Sequence, residues 1–271
     1  MKNRSWLKIA GGILAILLIL VGLIAAVKRE GQRKISEPNI VVHVEGAEAL
    51  LNNQELKERL LFQRIYTPGV PVNQLDLLAI EKAVKRMEEI KSVRVYKELG
   101  GKWFIEAWLR KPIARILRED GLSSYLDTEG HTIGVTSLHI ANVLVITGKI
   151  KEPIRGTHVQ EIINNDSLKN IRKLDDFYRI SSYVCNAPFF ASLIGQIYLD
   201  DKGEFVLIPL VGNQKIVFGT AHSKKQVEDK FKRLKIFYEE GIPYEGWDKY
   251  SEINVKYDGQ IVCRRNHSRT Q

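Results

Sequence analysis

The sequence predicts an α+β protein with a single N-terminal transmembrane helix, a β-α-α-β-β module, and a mostly antiparallel β domain with packed helices. Three observations carry this prediction. Residues 9–27, "IAGGILAILLILVGLIAAV", form 19 consecutive positions without a charge or strongly polar group. Helix-period and strand-period patterns then alternate over residues 38–111. After Pro112 the texture changes to short alternating runs separated by Gly-containing turns.

The apolar run is long enough to span a bilayer: at about 1.5 Å per residue it reaches roughly 28 Å. A signal peptide would carry a shorter apolar region and a small-residue cleavage pattern, and "LIAAVKR" is a poor candidate for one. We therefore expect a retained anchor behind a short tail at 1–8. Lys2, Arg4 and Lys8 precede the span and Lys28, Arg29, Arg33 and Lys34 follow it, so charge alone does not orient it. Residues 28–37 are charged, lack periodicity and read as a juxtamembrane linker.

Within 38–111, "NIVVHVEG" has the character of a strand and "NNQELKERLLFQR" (52–64) that of a short helix. Leu77, Ile80, Val84 and Met87 recur at helical spacing behind Asn73, a candidate N-cap. Two strands, 92–98 and 102–110, meet at Gly100-Gly101. In the second domain, 112–265, strands are expected at 113–118, 124–127, 132–135 and 143–147. A helix near 167–184 carries Leu168, Ile171, Leu174 and Tyr178. A hairpin turns at Asp200 to Gly203, and a strand covers 214–219. Helix 223–240 opens on a capping box, Ser223 and Gln226. A polar tail, 266–271, closes the chain.

Little in the sequence suggests catalysis. The six histidines fall in no metal-binding spacing, and Walker A, GxGxxG and GxSxG patterns are absent. No cofactor is implied, and no catalytic, cofactor-binding or metal-binding residue is assigned. Asp127 and Glu129 could be imagined as an acid/base pair. "LDTEGHT" is more simply a turn that uses Asp for an Asx bond and Gly for positive φ, and Asp200-Asp201 reads the same way. Lys224 to Lys235 reads as a solvated basic face. The net charge of +9 sits largely at the two ends of the chain, which suits membrane flanking better than a nucleic-acid groove. Cys185 and Cys263, 78 positions apart, match no zinc or redox spacing.

The last strands raise the functional question. Asp258-Gly259 suits a two-residue hairpin loop, which pairs Tyr257 with Gln260, Val255 with Val262 and Ile253 with Arg264. The main-chain groups of Ile261, Cys263 and Arg265 would then face away, along an edge about 20 Å long. Arg264, Arg265 and the tail could merely protect that edge. An internal strand could cover it, or a partner segment could pair with it.

Four stretches resemble the FtsQ/DivIB family of bacterial cell-division proteins. "VHVEG" (42–46) is similar to the opening of that family's POTRA-type module, and "RKPIARI" (110–116) to its junction motif. "YLDTEGHTI" (125–133) resembles the turn that follows, and "EINVKYDGQIV" (252–262) the closing strand pair. The chain departs from the pattern in its eight-residue tail, in Lys256 where an arginine is common, in Arg264 near an aromatic position, and in Gly100-Gly101 replacing a tryptophan-proline turn. The resemblance implies a non-enzymatic scaffold with a cytoplasmic N-terminus and an extracytoplasmic bulk. It would be placed at the septum and would bind FtsB- and FtsL-type bitopic division proteins. Within that expectation the partner-binding residues are Lys256, Tyr257, Gln260, Ile261, Val262, Cys263, Arg264 and Arg265. The competing readings are a POTRA-type assembly factor for membrane proteins and a membrane-anchored cell-wall hydrolase using Asp127, Glu129 and Asp200.

Overall fold

The computed structural model describes residues 3–46, 49–135, 140–169 and 171–266. The polar tail from 267 onward and His139 lie outside the described residues. The chain divides into two compact units, residues 1–44 with 51–109, and 45–50 with 110–271.

In the first unit, helix α1 (Asn3–Gly31) contains the apolar run. Among the described residues it is the one helix long and apolar enough to cross a membrane. The linker expectation is corrected in part. The helix continues through Lys28 and Arg29, and the residues after it are hydrogen-bonded rather than loose. Ile35 N–H donates to Val70 O (2.9 Å) and Val72 N–H to Arg33 O (2.8 Å). Strand β1 (Asn39–His43), helix α2 (Asn53–Phe62), a 3₁₀ turn at Val72–Gln74, helix α3 (Leu77–Lys85) and strands β2 (Ile90–Lys97) and β3 (Trp103–Leu109) follow. The three strands order β1-β3-β2, and Trp103, Ile105, Leu56, Leu60, Ile80 and Val84 are buried. Asn73 is not a cap. Asp76 takes that role, its carboxylate accepting from Ala79 N–H at 2.9 Å, because the 3₁₀ turn ends one turn later than the periodicity suggests.

The second unit is built on one nine-stranded sheet, formed by β4 (Pro112–Leu117), β5 (Ser123–Asp127), β6 (Thr132–Gly134), β7 (Leu144–Gly148), β8 (Ile194–Leu199), β9 (Phe205–Pro209), β10 (Lys215–Gly219), β11 (Tyr250–Asn254) and β12 (Val262–Arg265). Its order is β12-β11-β10-β9-β8-β7-β4-β5-β6. Antiparallel hairpins alternate with parallel joins at β4·β7, β7·β8 and β10·β11, so the sheet is mixed. Two of these joins are crossed by helices: α4 (Val159–Ile163), α5 (Asp166–Lys169), α6 (Leu174–Asn186) and α7 (Pro188–Leu193) connect β7 to β8, and α8 (Lys224–Ile236) and, after a π-helical turn, α9 (Ile242–Glu245) connect β10 to β11, whereas β4 reaches β7 through the β5–β6 hairpin. The predicted helix at 167–184 is therefore two. Ile171 lies between them and is exposed, and the buried stripe is Leu174, Phe177, Ile180 and Val184. These pack with Phe205, Phe218, Phe231, Leu234 and Ile253 into one core.

Candidate partner-docking edge

Strand β12 is held from one side. It pairs antiparallel with β11 as Glu252↔Arg264, Ile253↔Cys263 and Asn254↔Val262, with a bulge at Ser251. This corrects the two-residue hairpin: the register is offset by one, and residues 255–261 form a longer loop. A one-residue shift moves side chains to the opposite face. Val262 and Arg264 now lie outside, where Val262 is 48% exposed, while Ile261 and Cys263 lean on the core beside Ile253. The edge is also shorter than expected, four residues or about 13 Å.

Long-range contacts override the turn signal in Asp258-Gly259. Val255 is fully buried, its N–H donates to Val217 O in β10 (3.0 Å), and its carbonyl accepts from Arg233 Nη2 on α8 (3.1 Å). The same guanidinium nitrogen bonds Tyr257 O (3.1 Å). These bonds pull residues 255–257 along β10 and α8, leaving no room for the tighter hairpin. Arg233 was not legible as a functional residue, because its partners lie more than twenty positions away.

The outward groups of β12 survive the register correction. Since Val255 N–H points to β10, backbone alternation turns Glu252 and Asn254 toward β12. Their opposites, Arg264 and Val262, therefore point inward to β11. At the far end Asn266 N–H donates to Lys249 O (2.8 Å), which gives the same parity. The backbone of Cys263 and Arg265 faces away from the sheet, and among the described residues no strand lies beyond it.

The surroundings are polar and aromatic. Lys215, Glu252 and Arg264 form a cross-strand charge ladder on the outer face, with N···O separations of 3.4 and 3.9 Å. The Lys256 ammonium is paired with Glu204. Its stem covers Gly219, whose φ of +75° and lack of a Cβ permit that approach. Tyr257 and Gln260 are exposed at the loop. Trp247, tilted against Tyr238, and the 90%-exposed Tyr244 precede β11. Burial raises the Cys263 thiol pKa, which disfavours the reactive thiolate. Cys185 and Cys263 are both free.

The acidic candidates for catalysis are committed to turns. Asp127 Oδ1 accepts from Glu129 N–H (2.9 Å) and His131 N–H (2.7 Å), and Arg110 Nη1 lies 2.9 Å from Asp127 Oδ2. Asp127, Glu129 and His131 are close enough to suggest a metal site. The guanidinium of Arg110 already fills the space between them, 3.3 Å from Glu129 and 2.9 Å from His131 Nδ1. Arg110 can only donate, so this nitrogen of His131 accepts, and burial and Arg110 together lower the imidazole pKa. Asp200 Oδ1 likewise accepts from Lys202 and Glu204 N–H.

No curated protein matches the chain. Residues 111–264, more than half of the 271, match the family model described as FtsQ/DivIB, C-terminal related, and the chain belongs to that family.

Proposed function

We propose that this membrane-anchored division protein is a non-enzymatic scaffold that captures FtsB- and FtsL-type bitopic partners by adding a partner segment to β12. The observation that carries the reading is the outward-facing backbone of Cys263 and Arg265 at the end of a nine-stranded sheet. A foreign strand there would take up to four main-chain hydrogen bonds without disturbing any bond to β11. Side chains would set the choice of partner. Arg264 ends the Lys215-Glu252-Arg264 ladder, so an acidic residue on the incoming strand would extend it. Val262, Tyr257 and Trp247 offer apolar contact on the flanks. The first unit's order, β1-α2-α3-β2-β3, supports its reading as a POTRA-type module. In this reading the N-terminus is cytoplasmic and the chain beyond α1 stands outside the cytosol at the septum.

Cys263→Pro tests the edge. Proline removes one outward N–H and no ladder bond, so the fold should survive while binding fails. Partner affinity and thermal unfolding are measured on the same full-length preparation. Affinity should fall at least about tenfold, the loss expected when a central main-chain bond and its neighbours are disrupted. A folded variant that binds normally removes β12 as the docking edge.

A further inference from the structure

A groove of about 1250 Å³ lies in the first unit between the end of α1 and the tip of the β2–β3 hairpin. Ala26 and Val27, the last residues of the apolar run, form one wall, and Val72 and Leu99 line it from the folded module. The placement is built, not incidental. Glu30 accepts from the Gly100 N–H and pairs with Arg33 at 3.1 Å. Ser36 N–H donates to Gly101 O (3.2 Å), and Gly31 packs against the Asn73 side chain.

This geometry fixes the depth of the hairpin tip. Val27 and Glu30 are three residues apart, or about 4.5 Å along a helix. A tip bonded to Glu30 therefore sits within a few ångströms of the hydrocarbon boundary, at the level of lipid headgroups. Leu99 stands there 88% exposed, an unfavourable place for leucine in water and a favourable one at a membrane interface. Lys28 and Lys97 flank the groove from opposite walls, and Arg29 is exposed on the helix beside Lys28. The opposing carboxylates are Glu98, on the tip, and Glu30, which is already paired. Apolar walls below a cationic rim complement a lipid with a buried acyl chain and a negatively charged headgroup.

The geometry points to a binding site for an anionic phospholipid between α1 and the β2–β3 hairpin, with Lys28 and Lys97 on the headgroup phosphate and Leu99 against the glycerol and upper acyl region. The inference holds for either orientation of the span and does not depend on the role of β12. A bound lipid would fix the angle between α1 and the three-stranded module and turn a tether into a mount.

The test is native mass spectrometry of the detergent-solubilised full chain, titrated with dioleoylphosphatidylglycerol or with dioleoylphosphatidylcholine. The wild type should retain the anionic lipid more tightly. Lys28→Ala and Lys97→Ala should each weaken its retention about fivefold, the worth of one basic residue near an anionic headgroup. Leu99→Asp should weaken retention of both lipids. Arg94→Ala, three residues back on β2, is the control, and near-UV circular dichroism checks that each variant is folded. If Lys97→Ala matches wild type, or if Arg94→Ala has the same effect as Lys97→Ala, the groove is not the site and bulk electrostatics suffices. Lipid retention that is unchanged in Leu99→Asp also overturns the proposal, since the hairpin tip then takes no part.

Discussion

Lys230 lies on α8 and is 1% exposed. The sequence places it on a basic face expected to be solvated and balanced by Glu228, Asp229, Glu239 and Glu240, and Lys224, Lys225 and Lys235 are indeed exposed. Instead its Nζ donates to Phe218 O (2.9 Å) and Thr220 O (2.8 Å), where β10 leaves the ladder after Gly219. It also sits over the Phe218 ring. Burial depresses its pKa from 10.5 to about 8. The unfolded chain keeps the ordinary value, so between these pH values it holds a proton that the folded chain has released. Stability must therefore rise with pH across that window, and the penalty for the charged form is fully present below it. Compared with Lys230→Met, the wild type should gain on the order of 2 kcal/mol between pH 8 and 10.5, as measured by urea unfolding. Parallel stability–pH curves for the two proteins would show that the ammonium is solvated after all.

At the scale of single elements, the β5–β6 turn depends on one side chain. Asp127 closes the Asx bonds and neutralises Arg110, whose own side chain is 13% exposed. Asp127→Ala orphans two N–H groups and takes the nearest carboxylate from a largely buried guanidinium, leaving it Glu129 and His131, and should destabilise the second unit by about 3 kcal/mol. Asp127→Asn keeps the acceptor and should recover part of the loss, with urea midpoints distinguishing the two. This turn was legible in "LDTEGHT" because an Asx turn is local: the acceptor, the donors and Gly130 lie within four residues. The same locality made the apolar span, the Ser223 cap on Gln226 N–H and the hairpin at Asp200 readable. Register in the terminal hairpin was not, because a buried Val255 and a guanidinium from α8 outweigh the preference of Asp258-Gly259. Nor was the break between α5 and α6, where Leu168 and Leu174 share a helical spacing that two separate helices also satisfy.

Across the whole molecule, protection should grade from the middle of the large sheet to its rims. Ile146 on β7 and Ile197 on β8 are fully buried in the centre, so their amides should exchange only on global unfolding. One rim, β6, is three residues long, a common way to blunt an edge. The other rim is β12, and its parity makes a finer prediction. Val262 and Arg264 amides, bonded to β11, should exchange more slowly than those of Cys263 and Arg265, which face away. Adding a partner segment should slow Cys263 and Arg265 selectively, leave Val262 and Arg264 little changed, and leave the β7–β8 centre unaffected. Residue-resolved hydrogen exchange on the full chain reads all three. Fast exchange at Val262 and Arg264 with protection at Cys263 in the free protein would invert the parity. The segment would then have to dock elsewhere, because the outward groups of the last strand would already be spent on β11.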